Sequence, residues 1–409
     1  PDLVLALEPY TLRPDGPDVF RNFTVRVPGQ GVLFVRGLQF RPGSRAVHHA
    51  NVRVDRTEAS RLLDLADPDA GYEGAILHSA DFPGGQFLGW TPGQAPPLAP
   101  PGLAWPLEAG SDLVVQLHLY PTGKAERIAP VIGLYLGSQP PTSVPSVVRL
   151  GRQGLVLPPG DAAYRVSDAF VLPVDAQLLA VQPHAHYRAR DVRAWATLPD
   201  GTRRPLLHIP DWDFAWQDQY RYSAPPWLPA RTRLDIEYTF DNSDRNPRNP
   251  DSPPRRIEWG WRSSDEMADV WFQVRTRSAE DRAALERDAR RKMAEEDAVG
   301  SELLVSRSPD HISLRNDAAA IDLELGRATD ALRHFRAVTA LQPRSAPAWY
   351  NEGVALEAAG QADAAADRYR RAIALDPGHS AAHNNLATIL AAQGHIDEAV
   401  AEYRRAVEA

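Results

Sequence analysis

From Pro1 to about Val274 the apolar residues come in short alternating stretches, such as Gly31-Val32-Leu33-Phe34-Val35 and Asp112-Leu113-Val114-Val115-Gln116-Leu117. Pro, Gly and polar clusters interrupt them. A period of two with frequent turn residues predicts antiparallel strands. Many short strands without intervening helices predict two β-sandwiches of jelly-roll type. The expected hinge is Gln153 to Gly160, because Pro158-Pro159 cannot continue a central strand. This divides the region into domains at 1–155 and 156–276.

After Arg275 the pattern changes to Ala, Glu, Arg and Asp. Ser278-Ala279-Glu280-Asp281 reads as a helix start, and a charged linker helix is expected over 277–304. From 305 to 409 the chain repeats itself. Gly326, Gly360 and Gly394 are 34 residues apart, as are Pro343 and Pro377. Ala331, Ala365 and Ala399 follow each Gly at a fixed offset, while Phe335, Tyr369 and Tyr403 share one later position. Small residues let paired helices approach, the aromatic ring fills the gap, and Gly closes the turn. The pattern resembles the tetratricopeptide repeat family. That implies an all-α domain of about three repeats with a concave surface suited to a protein partner. No polar capping helix follows the last repeat, so its outer face is expected to be exposed or paired with another molecule.

The 409 residues suit several domains. A net charge of -8 offers no basic footprint, so nucleic acid is excluded as a partner. No apolar run reaches the roughly 18 residues of a membrane span, and none is expected. Pro1 carries neither an initiator Met nor a signal peptide, and a trimmed N-terminus is expected. The absence of Cys excludes disulfides, zinc-thiolate clusters and thiol nucleophiles.

Candidate chemistry rests on histidine and methionine. His184-Ala185-His186 has the spacing that puts two imidazoles on one strand face, which suits a metal or, more plainly, a surface or satisfied-core pair. Adjacent residues such as His48-His49 point to opposite faces, so both reach one ion only at a strand end or bulge. The plainer alternative is one ring in and one out. His118 reads as a core-facing strand histidine. Met267 and Met293 are the two methionines. Met293 belongs to a solvated helix, whereas Met267 begins a strand in Ser263-Ser264-Asp265-Glu266-Met267-Ala268-Asp269-Val270-Trp271. His78 and His208 read as structural. His208 precedes an aromatic cluster, Trp212 to Trp216, expected to pack a core or line the cleft.

Taken in order, the His-His pair, the Gln-x-His strand, the His-x-His pair and the Ser-Ser-Asp-Glu-Met run resemble the type II copper, ascorbate-dependent monooxygenases. Peptidylglycine and dopamine hydroxylating enzymes belong to that family. The segment from Gly89-Trp90-Thr91-Pro92 to Pro100-Pro101-Gly102, leading into the His118 strand, agrees with it, and the resemblance spans roughly residues 20 to 275. It implies two coppers per chain. His48, His49 and His118 would hold the electron-delivering ion, and His184, His186 and Met267, the catalytic set, the ion that meets dioxygen. A thioether among imidazoles suits copper in both oxidation states. The resemblance further implies hydroxylation of a small-molecule or peptide substrate, ascorbate or another external donor, and export to a periplasm or beyond. Asp265 and Glu266 are candidates to orient the ligands, with a solvated turn the plainer reading for at least one of them. Animal members are stapled by disulfides, so core packing must replace those staples here. With one ligand set in each sandwich, two uncoupled coppers are expected.

Gln182, Asp269 and Trp271 are the expected cleft residues. Glycine-specific members place Arg two residues before the His-x-His pair, where this chain has Gln182, and Asn and Tyr after the ligand Met, where it has Asp269 and Trp271. The resemblance therefore implies a substrate other than a glycine-ended peptide, with Trp271 as a wall for an apolar or cationic group. Two other readings compete. One is a catalytically silent copper-binding or scaffold protein that uses its repeats for protein-protein interaction. The other is a zinc hydrolase, disfavoured by the Met267 thioether and by the lack of a motif-placed Glu base.

Overall fold

The computed structural model describes residues 1–408 apart from 75, 78, 87, 95–97, 100 and 101. His78 lies outside the described residues. The chain forms two compact units, Pro1–Arg290 and Arg291–Ala409.

The first unit is β-rich, and its named strands pair antiparallel. In its first part a four-stranded sheet runs in the order Leu3–Ala6, Val131–Gly137, Val32–Arg41, Trp105–Glu108. A second sheet centres on Asp112–Leu119, held between Val19–Arg26 and Val47–Asp55. Leu5, Leu38 and Ile132 of the first sheet and Val52, Leu113 and Leu117 of the second belong to one buried core. Burial of such side chains contributes roughly 1.5–3 kcal/mol each.

In the second part, Asp269–Arg275 lies between Ser146–Gly151 and Ala176–His184. A four-stranded sheet has the order Tyr164–Val171, Arg233–Phe240, Ala189–Thr197, Arg203–Ile209. Ser146–Gly151 already pairs within this second group, so pairing changes hands ahead of the expected hinge. Val156–Leu157, inside the Gln153 to Gly160 segment, pairs with Ile257–Glu258. The prolines end that short strand rather than separate two domains. Tyr238 ties the second group together, its hydroxyl donating to Asp269 O at 2.6 Å.

The helix start at Ser278 is present, with Ser278 Oγ accepting Asp281 N–H at 3.0 Å. This helix, Ala279–Arg307, outruns the expected limit at 304. Among the described residues no helix is long and apolar enough to cross a membrane.

In the second unit, helices Ile312–Glu324 and Ala328–Leu341, Ala346–Ala358 and Ala362–Leu375, and Ser380–Ala392 and Ile396–Glu408 form three successive pairs. Gly326, Gly360 and Gly394 take φ of 72°, 73° and 85° between the two helices of each pair, a conformation that favours glycine. Ala331, Ala365 and Ala399 are buried, as are Phe335 and Tyr369. Tyr403 is 38% exposed, and Ile396, Val400 and Val407 beside it are also exposed. The outer face of the last pair is open among the described residues.

Candidate metal centre

The strand Val47–Asp55 pairs with Asp112–Leu119 so that His49 faces His118 and Val47 faces Leu119, leaving His48 as an extra residue. The bulge turns both adjacent rings toward one place, the one geometry in which a His-His pair can share an ion. Their Nδ1 atoms lie 3.1 Å apart. The His118 ring is 5.3 Å from His48 and 4.8 Å from His49 between centroids. One ligand atom from each of the three falls within 4.8 Å of the others.

His118 is held from behind. Its Nε2–H donates to Asp18 Oδ2 at 3.0 Å, Ser263 Oγ donates to the same oxygen at 2.6 Å, and Phe20 stacks on the ring at 4.3 Å. Burial alone would raise Asp18, but the bonds from His118 and Ser263 outweigh it and hold the carboxyl below its usual range. An ionised Asp18 can only accept, so the lone pair of His118 sits on Nδ1. That atom is buried and has no partner among the described residues. A buried acceptor left alone is costly, and a cation beside it removes the cost.

His184 ends the strand Ala176–His184, and His186 follows in the loop. His184 Nδ1–H donates to Gln217 Oε1 at 2.5 Å, and His186 Nδ1–H donates to the carbonyl of Asp265 at 3.2 Å. Both lone pairs are thereby placed on Nε2. The rings stand 5.3 Å apart and nearly perpendicular. Glu266 joins this pair to Met267. Its fully buried carboxylate accepts the backbone N–H of His186, of Arg188 at 2.9 Å and of Met267 at 3.0 Å. Burial pushes Glu266 up to about 7 against the lowering effect of those bonds. Met267 precedes the strand rather than beginning it, since Asp269–Arg275 starts two residues later.

The two sets adjoin. His49 and His184 are 6.4 Å apart between centroids, Phe214 stacks on His48 at 4.5 Å and meets His186 at 5.7 Å, and the hydroxyls of Tyr120 and Tyr187 lie 3.1 Å apart. Both groups of sheets belong to one compact unit, and Phe214 touches a histidine of each set. Burial, then repulsion from His118, lowers His48 to about 4; burial foremost also lowers His184 to about 4. His49 and His186 fall well below the usual histidine value for the same first cause. Near pH 7 these imidazoles are neutral, the state in which they bind metals.

Trp271 stands 6.1 Å from the His184 ring, as a cleft wall would. Asp269 is paired in register with His184 on one side and with Gly151 on the other. A Cβ added at Gly151 would lie 1.9 Å from Asp269 Oδ1, so this buried carboxylate is turned over the neighbouring strand. His208 is exposed and paired with Asp191 at 2.8 Å, outside the site. Asp18 and Gln217 were not singled out from sequence, whereas Phe214 belongs to the aromatic cluster expected to pack a core or line the cleft. Phe214 and Gln217 lie in or beside the aromatic segment, while Asp18 carried no signal. A second cluster, Glu302, Asp322 and His334, lies in the helical unit, where the Arg333 guanidinium already pairs with Glu302.

Tetratricopeptide repeat models match residues 316–379 and 356–409. The C-terminal region is a tetratricopeptide-repeat array. Neither match enters the β-rich unit, and none of the comparisons supports the resemblance to copper monooxygenases. No curated protein matches the chain. Similar solved structures include a MamA double mutant from strain RS-1, at 21% identity over 28% of this chain and 65% of that one, with a TM-score of 0.27. A further MamA crystal structure has 20% identity over 32% of this chain and 75% of that one, TM-score 0.27. MamA from residue 41 to its end, from Desulfovibrio magneticus RS-1, has 21% identity over 28% and 65%, TM-score 0.27. This chain thus spans about 65% of the first of these. Scores this low carry no argument about the chain as a whole.

Proposed function

We propose that this protein binds copper through the histidines of its β-rich unit and engages a protein partner through its repeats. The comparisons back the interaction role better than turnover, because the repeats are the part of the chain they match. The observation that carries the metal role is the aim of the nitrogens. Asp18 fixes the His118 tautomer so that a buried, partnerless Nδ1 joins the facing Nδ1 atoms of His48 and His49. His184 and His186, tied back at Nδ1, offer Nε2, and Met267 is joined to them by Glu266. The thioether favours copper over zinc.

A second reading, hydroxylation by a copper monooxygenase, is favoured by the adjacency of the two sets. Copper held there would supply one-electron chemistry and dioxygen activation, drawing electrons from ascorbate or another external donor. The chain's own part would be to keep His48, His49, His184 and His186 neutral, orient the rings, pack Phe214 between the sets and present Trp271 beside His184. By the same resemblance the protein would work in a periplasm or beyond. Metal analysis and Cu(II) EPR on protein purified without added metal test the first reading; zinc, or a single copper, overturns it. Product mass spectrometry with ascorbate and dioxygen tests the second. A copper-loaded protein that never consumes oxygen is a scaffold.

A further inference from the structure

Two residues before His184, on the same face of its strand, stands Gln182. It lines a recess closed by Arg36 and Trp105 from the first group of sheets and by Gln219 and Arg221 from the second. Two of these side chains are unsatisfied. Arg36 Nε and Gln182 Oε1 are buried and have no hydrogen-bond partner among the described residues. The bonds the two guanidinium groups do make go to neutral oxygens: Arg36 to the carbonyl of Ala99 at 3.3 Å and Arg221 to Gln219 Oε1 at 3.1 Å. A buried donor and a buried acceptor in one recess, beside two guanidinium groups bonded only to neutral oxygens among the described residues, ask for a ligand with an anionic head and a donor next to it. The free interior is small and seats one such group.

We propose that this recess binds the carboxylate of a small 2-hydroxy acid, Arg36 and Arg221 holding the carboxylate and Gln182 Oε1 accepting from the hydroxyl. Its role as the substrate's anchor rests on the monooxygenase reading above; its role as a binding site does not. Gln182 gives the link, since it lines the recess and stands two residues before His184 on the same strand face.

The test is calorimetric titration of chelator-treated, copper-free protein with mandelate, with mandelamide lacking the charge and phenylacetate lacking the hydroxyl. Mandelate is expected to bind and mandelamide not, and Arg36→Gln or Arg221→Gln should each weaken mandelate about tenfold or more. Gln182→Met should erase the preference for mandelate over phenylacetate. Far-UV circular dichroism checks each fold, and the exposed Arg221 keeps the test open if Arg36→Gln does not fold. No mandelate binding, wild-type affinity in both Arg variants, or tighter binding of inorganic phosphate overturns the proposal. Metal content measured separately distinguishes this from the copper reading: binding lost on mutation upholds the recess whatever the metal result, and absent binding overturns it even where copper loads.

Discussion

Replacing Asp18 tests the metal centre at a residue that touches no ion. The His118 side chain is 2% exposed and Asp18 22%, so their bond is shielded from most solvent screening. Hydrogen bonds to a charged group contribute about 1.5–3 kcal/mol against about 0.5–1.5 kcal/mol for neutral pairs. Asp18→Asn keeps the shape and loses the charge, a difference of about 1–1.5 kcal/mol, or about tenfold in copper affinity at the His48, His49 and His118 set. Asp18→Ala also frees the ring and the tautomer, and the loss should reach toward the roughly hundredfold limit for outer groups of metal sites. Ser263→Ala, which removes only the 2.6 Å support of Asp18, should cost less than either. Competition titration of Cu(II) against a chelator, read site by site through EPR, gives these affinities. Unchanged affinity in Asp18→Ala, or an equal loss at both sets, would refute the reasoning.

Met267→Ala should leave copper at the first set and the fold intact while weakening Cu(I) at the second, read by anaerobic Cu(I) titration; equal Cu(I) affinity would return Met267 to packing. Truncation before Ser301 should leave copper binding unchanged, because every candidate ligand lies at or before Met267, and metal analysis of the truncated chain checks this. Asp322 in the repeats is pushed up to about 6 by burial, then by Asp330 and Glu302. The folded state therefore holds this proton more tightly than the unfolded chain. Its stabilising effect is full below the unfolded value near 3.8 and is lost as pH rises through 6. Asp322→Asn should accordingly raise stability at pH 7.5, by on the order of 2 kcal/mol, and flatten its decline between pH 4 and 6. Urea unfolding at several pH values measures both, and a less stable variant at pH 7.5 would show that the charged carboxylate is compensated.

Much of the fold was legible because its signals are local. The repeat period is carried by Gly326, Gly360 and Gly394, each needing a left-handed backbone that few other residues adopt. The Ser278 cap and the alternation around Val114 are equally local. The His-His pair posed a condition, a strand end or bulge, and the register slip at His48 meets it. That slip itself depends on how Asp112–Leu119 aligns with its neighbour, a pairing between strands far apart in sequence. Tyr403 repeats Phe335 and Tyr369 in sequence but not in burial, because what covers an aromatic position is the next pair along.

What escaped the sequence is what two distant segments decide together. Asp18 lies 100 residues before His118 and 245 before Ser263, and nothing in its own surroundings marks it as the group that sets a tautomer. The charge around Gln182 is hidden from the sequence for the same reason. A motif compares one position with its counterpart, whereas the charge in a recess is a sum over every strand that reaches it, and here Arg36 and Arg221 enter from different groups of sheets. Asp269 shows the converse. Its sequence position beside Met267 suggested an acid facing the cleft; its strand pairs it with both His184 and Gly151, and the missing Cβ of Gly151 leaves room for the carboxylate. Residue type at a motif position therefore says which chemistry is available, and only the register of neighbouring strands says whether the site receives it.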